Sequence, residues 1–347
     1  MSSDGGSGPQ PGFDWRKAIA DNQTLPAAGV EDHRTVRIGG IDQWVSVRGS
    51  HRDNPLLLFL HGGPGSPMMG ESWSFQRPWE DFFTVVQWDQ RGAGKTYRSN
   101  GRGHETDLTI DLMQADAEDL IEHLLERYGQ QRLVLVGHSW GTVLGMRIAL
   151  ARPELLHAYV SIGQVVNMRR NEAVSYRRTL AIARERGDLE AIADLEAIAP
   201  YPDAAPLPMS SMLVERRWVE AYGGMIHALA QDDEVQRLRM SPLYDEFDIE
   251  ATEHGALASV EALWTELMCI DFDEVRSLDC PFFVIAGAED LATPAELARE
   301  MFDQIEAPHG EYIELPRVAH YAFLEAPGVV LVKLVQLVLP LASVDRV

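Results

Sequence analysis

The chain of 347 residues holds only two cysteines, Cys269 and Cys280. That is too few for a disulfide framework or a cysteine-rich zinc site, and both read as buried small apolar residues in a reducing compartment. Positive charge is also scarce. Against 53 Asp plus Glu there are 30 Lys plus Arg, leaving a formal charge of −23. Nucleic acid and anionic membrane surfaces are gripped by concentrated Lys and Arg, so neither is an expected partner. A long apolar run is missing as well. The richest stretch, Val329–Leu339, is broken by Lys333 and Gln336 and falls short of the roughly 18 residues that span a membrane. It reads as a buried C-terminal helix after Pro327. Met1–Gly12 lacks the basic and apolar regions of a secretory signal and reads as a flexible leader, which makes the cytoplasm the expected location. No H-E-x-x-H and no clustered Cys/His spacing occurs, so no metal and no cofactor are expected.

What is present is ordinary globular composition, with 46% hydrophobic and 24% charged residues. Short apolar runs predict strands at Ile41–Val47, Leu56–Leu60, Phe83–Trp88, Leu133–Val136, Tyr159–Ile162, Phe282–Ala286 and Tyr312–Leu315. Several are apolar at consecutive positions, as strands covered on both faces are. Between two of them Met113, Ala117, Leu120, Ile121, Leu124 and Tyr128 recur at helical spacing. Strand–helix–strand alternation predicts a mainly parallel α/β sheet. From about Val166 to Ile270 the alternation stops, and helix-like segments flank the Pro-rich stretch Pro200–Pro208. The expected organisation is a leader and N-terminal segment over 1–30, an α/β core over 31–165 and 271–347, and a helical cap over 166–270.

Chemistry enters at Gly137-His138-Ser139-Trp140-Gly141, a G-x-S-x-G sequence between an apolar strand and a helix-period segment. That setting is a nucleophile elbow: the turn is too tight for side chains two residues from the serine, and it lifts Ser139 above the sheet. His61-Gly62-Gly63-Pro64-Gly65 follows an earlier strand. A serine acyl-transfer enzyme needs two backbone N–H donors where an oxyanion forms, and Trp140 and Gly63 are the candidates. Past the next strand ends, Gly287-Ala288-Glu289-Asp290 supplies a carboxylate and Ala319-His320 an imidazole, in the order serine, acid, histidine. Asp290 is preferred over Glu289 by its offset from the glycine. His138 and His61 lie inside turn motifs and read as structural. Gly92-Ala93-Gly94-Lys95-Thr96 imitates the end of a phosphate-binding loop but has Asp89 where the first glycine belongs.

Taken together, these motifs and Trp88-Asp89-Gln90-Arg91-Gly92 resemble the proline iminopeptidase-like branch of the α/β-hydrolase superfamily. The resemblance implies an α/β-hydrolase fold with an eight-stranded sheet, a helical cap inserted after the sixth strand, and hydrolysis through an acyl-enzyme. It implies Ser139, Asp290 and His320 as the triad, and Gly63 and Trp140 as oxyanion donors. Members of that branch bind the free amine of an N-terminal proline with cap glutamates near a Trp-rich helix. Glu215–Gly224 matches that element in part, with Tyr222 in place of a second tryptophan, and nominates Glu220 and Trp218 for substrate binding. An apolar cap lined by Trp218, Met212, Met225 and Trp264 would instead suit an ester, lactone or aryl amide. Two other readings are a non-catalytic binding protein, which a complete triad opposes, and a hydrolase with an aspartate nucleophile, which Ser139 opposes. The expected partner is a small molecule or short peptide.

Overall fold

A computed structural model of the chain describes residues 14–101, 108–227, 229 and 233–342. Eight strands make one sheet: β1 (Val30–Ile38), β2 (Ile41–Gly49), β3 (Leu56–Leu60), β4 (Thr84–Asp89), β5 (Leu133–His138), β6 (Leu156–Ile162), β7 (Phe282–Gly287) and β8 (Gly310–Leu315). Their order is β1-β2-β4-β3-β5-β6-β7-β8. β1 with β2 and β2 with β4 run antiparallel, and every other pair is parallel.

Side-chain alternation explains the layering. In β3, Leu56, Leu58 and Leu60 join one apolar cluster while Leu57 and Phe59 join another; β5 divides the same way. A strand apolar at every position has two faces to bury, so helices cover both. All five β3 side chains are 0% exposed. Each contributes about 1.5–3 kcal/mol over its exposed state, which makes β3 the axis of the core. One face carries α3 (Ile110–Tyr128), α4 (Trp140–Ala151) and α10 (Ala295–Gln304). α3 starts where the Thr109 hydroxyl accepts the Leu112 N–H at 3.1 Å and stops at Gly129, and it buries the spaced apolar residues that predicted it, Tyr128 only in part. The other face carries α11 (Ala322–Glu325), α12 (Pro327–Lys333) and the helical turns that continue to Ala342. There Val330, Leu334, Val338 and Ala342 are buried, but Val329 and Val332 are about half exposed. The expected buried C-terminal helix is therefore buried along one stripe only.

Two further points differ from expectation. The sequence offers no sign of β1, because only Val36 and Ile38 of its nine residues are buried and Glu31, Asp32, Arg34 and Arg37 interrupt any apolar run. An edge strand of that kind has no apolar run to find. Cys280 is buried, but Cys269 is exposed, since it lies just beyond a helix end. The leader Met1–Gly12 falls outside the described residues; α1 (Trp15–Asn22), capped by the Asp14 carboxylate, follows it.

Between β6 and β7 come α5 (Met168–Arg186), α6 (Leu189–Ala197), α7 (Met209–Ala221), α8 (Asp233–Met240) and α9 (Glu246–Leu267). α9 seats this insertion on the core. Its Ser259 hydroxyl donates to the Gly92 carbonyl at 3.1 Å, and a Cβ on Gly65 would lie 2.7 Å from the Ala256 Cα. Beside this contact Tyr244 donates to the buried Asp89, whose other partner is the Lys95 N–H at 2.8 Å in α2 (Gly94–Asn100). The Lys95 ammonium is held by Asp248 at 2.7 Å and lies over the Trp44 and Tyr244 rings. The sequence that imitates a phosphate loop thus fastens the insertion to the sheet.

Burial pushes the Asp89 carboxyl up to about 7, against the lowering effect of the Tyr244 and Lys95 hydrogen bonds. The folded chain then holds a proton that an unfolded carboxyl, near about 3.9, releases. That stabilisation is present below about pH 4 and is lost as pH rises through about 7. Between pH 5 and 8 the Tm should fall more steeply for wild type than for Asp89→Asn, which never ionises and keeps an acceptor for Tyr244. Parallel slopes in a thermal-melt series would show that Asp89 is ionised throughout.

Candidate active site

β5 ends at His138 and α4 starts at Trp140, so Ser139 alone makes the turn. Its φ of 52° and ψ of −120° lie where non-glycine residues rarely go, at a cost of about 1–3 kcal/mol. The neighbours hold it there. The Ser139 N–H donates to Ile162 at 3.0 Å, and its carbonyl accepts from the Thr142 N–H at 2.8 Å and hydroxyl at 2.6 Å. A Cβ on Gly141 would come within 2.1 Å of the Leu60 carbonyl oxygen, and one on Gly137 within 2.6 Å of Gly141. The spaced glycines record how closely the serine turn packs on the end of β3.

Asp290 follows β7 and His320 follows β8, and both are buried. The His320 Nδ1 lies 2.8 Å from Asp290 Oδ2. Thr293 completes the carboxylate: its N–H donates to Oδ1 and its hydroxyl to Oδ2, both at 2.8 Å, and its oxygen lies 3.1 Å from His320 Nδ1. With Nδ1 turned to two oxygens it carries the proton, which leaves Nε2 unprotonated. The two loops are stitched by the Glu289 N–H on the Val318 carbonyl at 2.9 Å, and Arg317 takes a positive φ of 59° on the way to His320. Glu289, the competing carboxylate, lines an outer groove instead.

The loop after β3 is braced from the side. His61 Nδ1 donates to the Gly62 carbonyl at 2.8 Å, and its Nε2 accepts the Gln90 N–H at 3.3 Å. Burial lowers the His61 pKa to about 4, so the ring is neutral near pH 7. The Gln90 side chain in turn accepts from the Trp140 indole at 3.1 Å. One residue therefore ties the loop bearing Gly63 to the helix end bearing Trp140. As the first residue of α4, Trp140 has no intrahelical acceptor for its N–H.

Gly63, Ser139, Trp140, His320 and Glu220 all line one cavity of about 450 Å³ beneath the inserted helices. Asp290 stands behind His320, outside the wall. α7 presents Met209, Met212, Leu213, Arg216 and Glu220 to the cavity, a stripe at helical spacing. Trp218 is not brought to it. Two residues from Arg216 is about 200° around the helix, so its indole packs with Leu180, Ala183, Ala191 and Leu195 and donates to Asp194 at 3.2 Å. Met225 lines the cavity, whereas Trp264 donates to the Leu207 carbonyl at 2.7 Å and does not. Arg216 reaches the wall already paired with Glu172 and Glu215, which Tyr201 and Ser175 also bond. Burial pushes Glu215 up to about 7. Glu234 joins Glu220 on the wall; desolvation raises both, and the Glu234 charge raises Glu220 further.

Three of these participants escaped the sequence. Thr293 had a signal, three residues past the acid. Gln90 was visible only inside a motif quoted for resemblance. Glu234 sits in a polar run that says nothing of a cavity. Among the described residues no group of three or more His, Cys, Asp or Glu is placed to hold a metal, and no helix is long and apolar enough to cross a membrane.

A Bacillus subtilis (strain 168) protein named probable aminopeptidase YbaC is 31% identical over 298 residues, covering 85% of this chain and 92% of that one. The proline iminopeptidase of Neisseria gonorrhoeae is 26% identical over 88% of this chain and 95% of its own length. A solved Mycobacterium smegmatis proline iminopeptidase superposes with a TM-score of 0.66 at 21% identity, covering 91% of this chain and all of that one, which shows a shared fold. The family model described as alpha/beta hydrolase fold matches residues 55–327. Since that match begins one residue before β3 and runs past β8, taking in the helices inserted after β6, the chain belongs to the alpha/beta hydrolase fold family.

Proposed function

We propose that the chain is a serine hydrolase that cleaves a small amide or ester through an acyl-enzyme, acting as a proline iminopeptidase-like aminopeptidase. The observation that carries this is the buried 2.8 Å contact of His320 with Asp290, opening onto the same cavity as the strained Ser139. Ser139 Oγ attacks the substrate carbonyl carbon while His320 Nε2 takes its proton, and Asp290 stabilises the imidazolium. The charge that grows on the carbonyl oxygen meets the N–H groups of Gly63 and Trp140 at the positive end of α4. His320 returns the proton to the leaving amine or alcohol, which departs and leaves the acyl group on Ser139. Water, deprotonated by His320, then attacks the ester, and the acid is released as Ser139 recovers its proton.

The wall supports a substrate with a free amine. Glu220 and Glu234 face the cavity, while its Arg216 is already matched by two carboxylates. An ammonium is stabilised in such a field. The relatives named aminopeptidase and proline iminopeptidase point the same way. A second reading, a carboxylesterase, lactonase or aryl amidase for a neutral acyl group, draws on the apolar remainder of the wall: Val143, Val165, Met168, Met212 and Val260.

Ser139→Ala should lower kcat by about 10⁴-fold and abolish fluorophosphonate labelling. Retained activity with labelling at another serine would refute the assignment. Asp290→Asn should cost about 10³–10⁴-fold in kcat with the fold intact, and Glu289→Gln should cost almost nothing; the reverse ranking would move the acid by one residue. For the substrate, wild type should cleave a free-amine proline arylamide far better than its N-acetyl form. Because Glu220 is partly solvated, Glu220→Gln should raise the KM of the free-amine substrate about 10–100-fold while sparing a short acyl ester. Equal rates on free and acetylated substrates would hand the site to the esterase reading.

A further inference from the structure

We propose that His138, the residue before the serine, is a positioning residue that holds the main chain of His320. This rests on Ser139 and His320 being the nucleophile and the base. His138 Nε2 lies 3.1 Å from the His320 carbonyl oxygen. A carbonyl only accepts, so Nε2 carries the proton and Nδ1 is bare. That Nδ1 is buried with no hydrogen-bond partner among the described residues, and it lies 3.0 Å from where a Cβ on Gly62 would stand.

A buried bare nitrogen acceptor is a cost that an apolar side chain of the same size would avoid. What an imidazole supplies in return at this position is the Nε2–H. The ring is hemmed in: it packs edge-on against Phe323 at 4.9 Å and tilted against Tyr321 at 4.8 Å. From the other side the His320 N–H donates to the Met225 carbonyl at 3.0 Å, and the adjacent Gly224 carbonyl takes the N–H of Leu291, next to Asp290, at 3.1 Å. Both polar groups of the His320 main chain are thus held, one by the serine turn and one by the chain leaving α7.

Neutrality matters too. The His138 and His320 rings stand 4.8 Å apart, so a charged His138 would oppose the imidazolium that forms during the reaction. Burial, with the nearby His320 adding to it, holds His138 well below the ordinary histidine range. It therefore serves as a fixed neutral donor at working pH.

The test compares His138→Gln, whose amide still donates, with His138→Met, which fills similar space and cannot. His138→Met should lose about 10–100-fold in kcat and in the fluorophosphonate labelling rate, with KM unchanged, because a base displaced by about an ångström loses that much. His138→Gln should stay within about threefold of wild type. If His138→Met does not fold, His138→Asn, whose amide stops short of the carbonyl, takes its place with the same expected loss. Full activity of the non-donating variant, or equal losses in both, would overturn the proposal. Ser139→Ala is measured alongside: an active Ser139→Ala defeats the underlying triad, whereas an inactive one beside a fully active His138→Met defeats only the role of His138.

Discussion

At the C-terminal ends of β3 and β5 the main chain of the serine turn lies against the main chain of Leu60 and His61 with no space for a Cβ between them, 2.1 Å being all that Gly141 would leave. From that approach the other distances follow. It puts the loop carrying Gly63 beside the first residue of α4, which His61, Gln90 and the Trp140 indole then lock in place. It also presses Gly62 on His138, whose far nitrogen reaches the His320 carbonyl. The loop is covered in turn by α9 through Gly65 and Ala256. A larger residue at any of these contacts would act on the whole centre, because close-packed backbones transmit a displacement rather than absorb it.

With a net charge of −23, the chain still buries carboxylates beside the sheet and among the helices between β6 and β7. Asp116 meets Arg91 and Gln43, Glu80 meets Arg48 and Gln76, and Glu172 and Glu215 share Arg216. A buried charge without such a partner is expelled or neutralised. Asp89 has no cation of its own, one of its oxygens has no partner among the described residues, and its carboxyl is the one in the sheet pushed up to about 7. The surplus negative charge goes to solvent and to the cavity wall. Several arginines join elements distant in sequence, as Arg98 meets Asp248 and Arg237 meets Glu71.

Seven of the eight strands could be read because each carries an apolar run, and Ser139, Asp290 and His320 stand out because each follows such a run at a recognisable turn. β1 has charged residues scattered along it and no apolar run, so it was invisible. On α7 the two residues nominated for substrate binding lie on different faces. Glu220 belongs to the cavity stripe and Trp218 to the opposite side, and choosing between them requires knowing which neighbours flank the helix. His138 and Thr293 were in plain view beside Ser139 and Asp290, but nothing local says where their polar atoms point.

The sequence by itself determined the local matters: the apolar strands and the helices between them, the tight turn at Ser139, and the placing of a serine, an acid and a histidine after strand ends. These follow from backbone sterics and apolar periodicity, which act over a few residues. Only the tertiary structure decided that His320 meets both Asp290 and Thr293, that Arg216 is already neutralised on the cavity wall, and that Glu234 faces Glu220 while Trp218 does not. Those outcomes depend on distances between separate segments, Asp290 and His320 being 30 residues apart and Glu172 and Arg216 44. Such distances are set by how helices pack on a sheet, and no short stretch of chain contains that information.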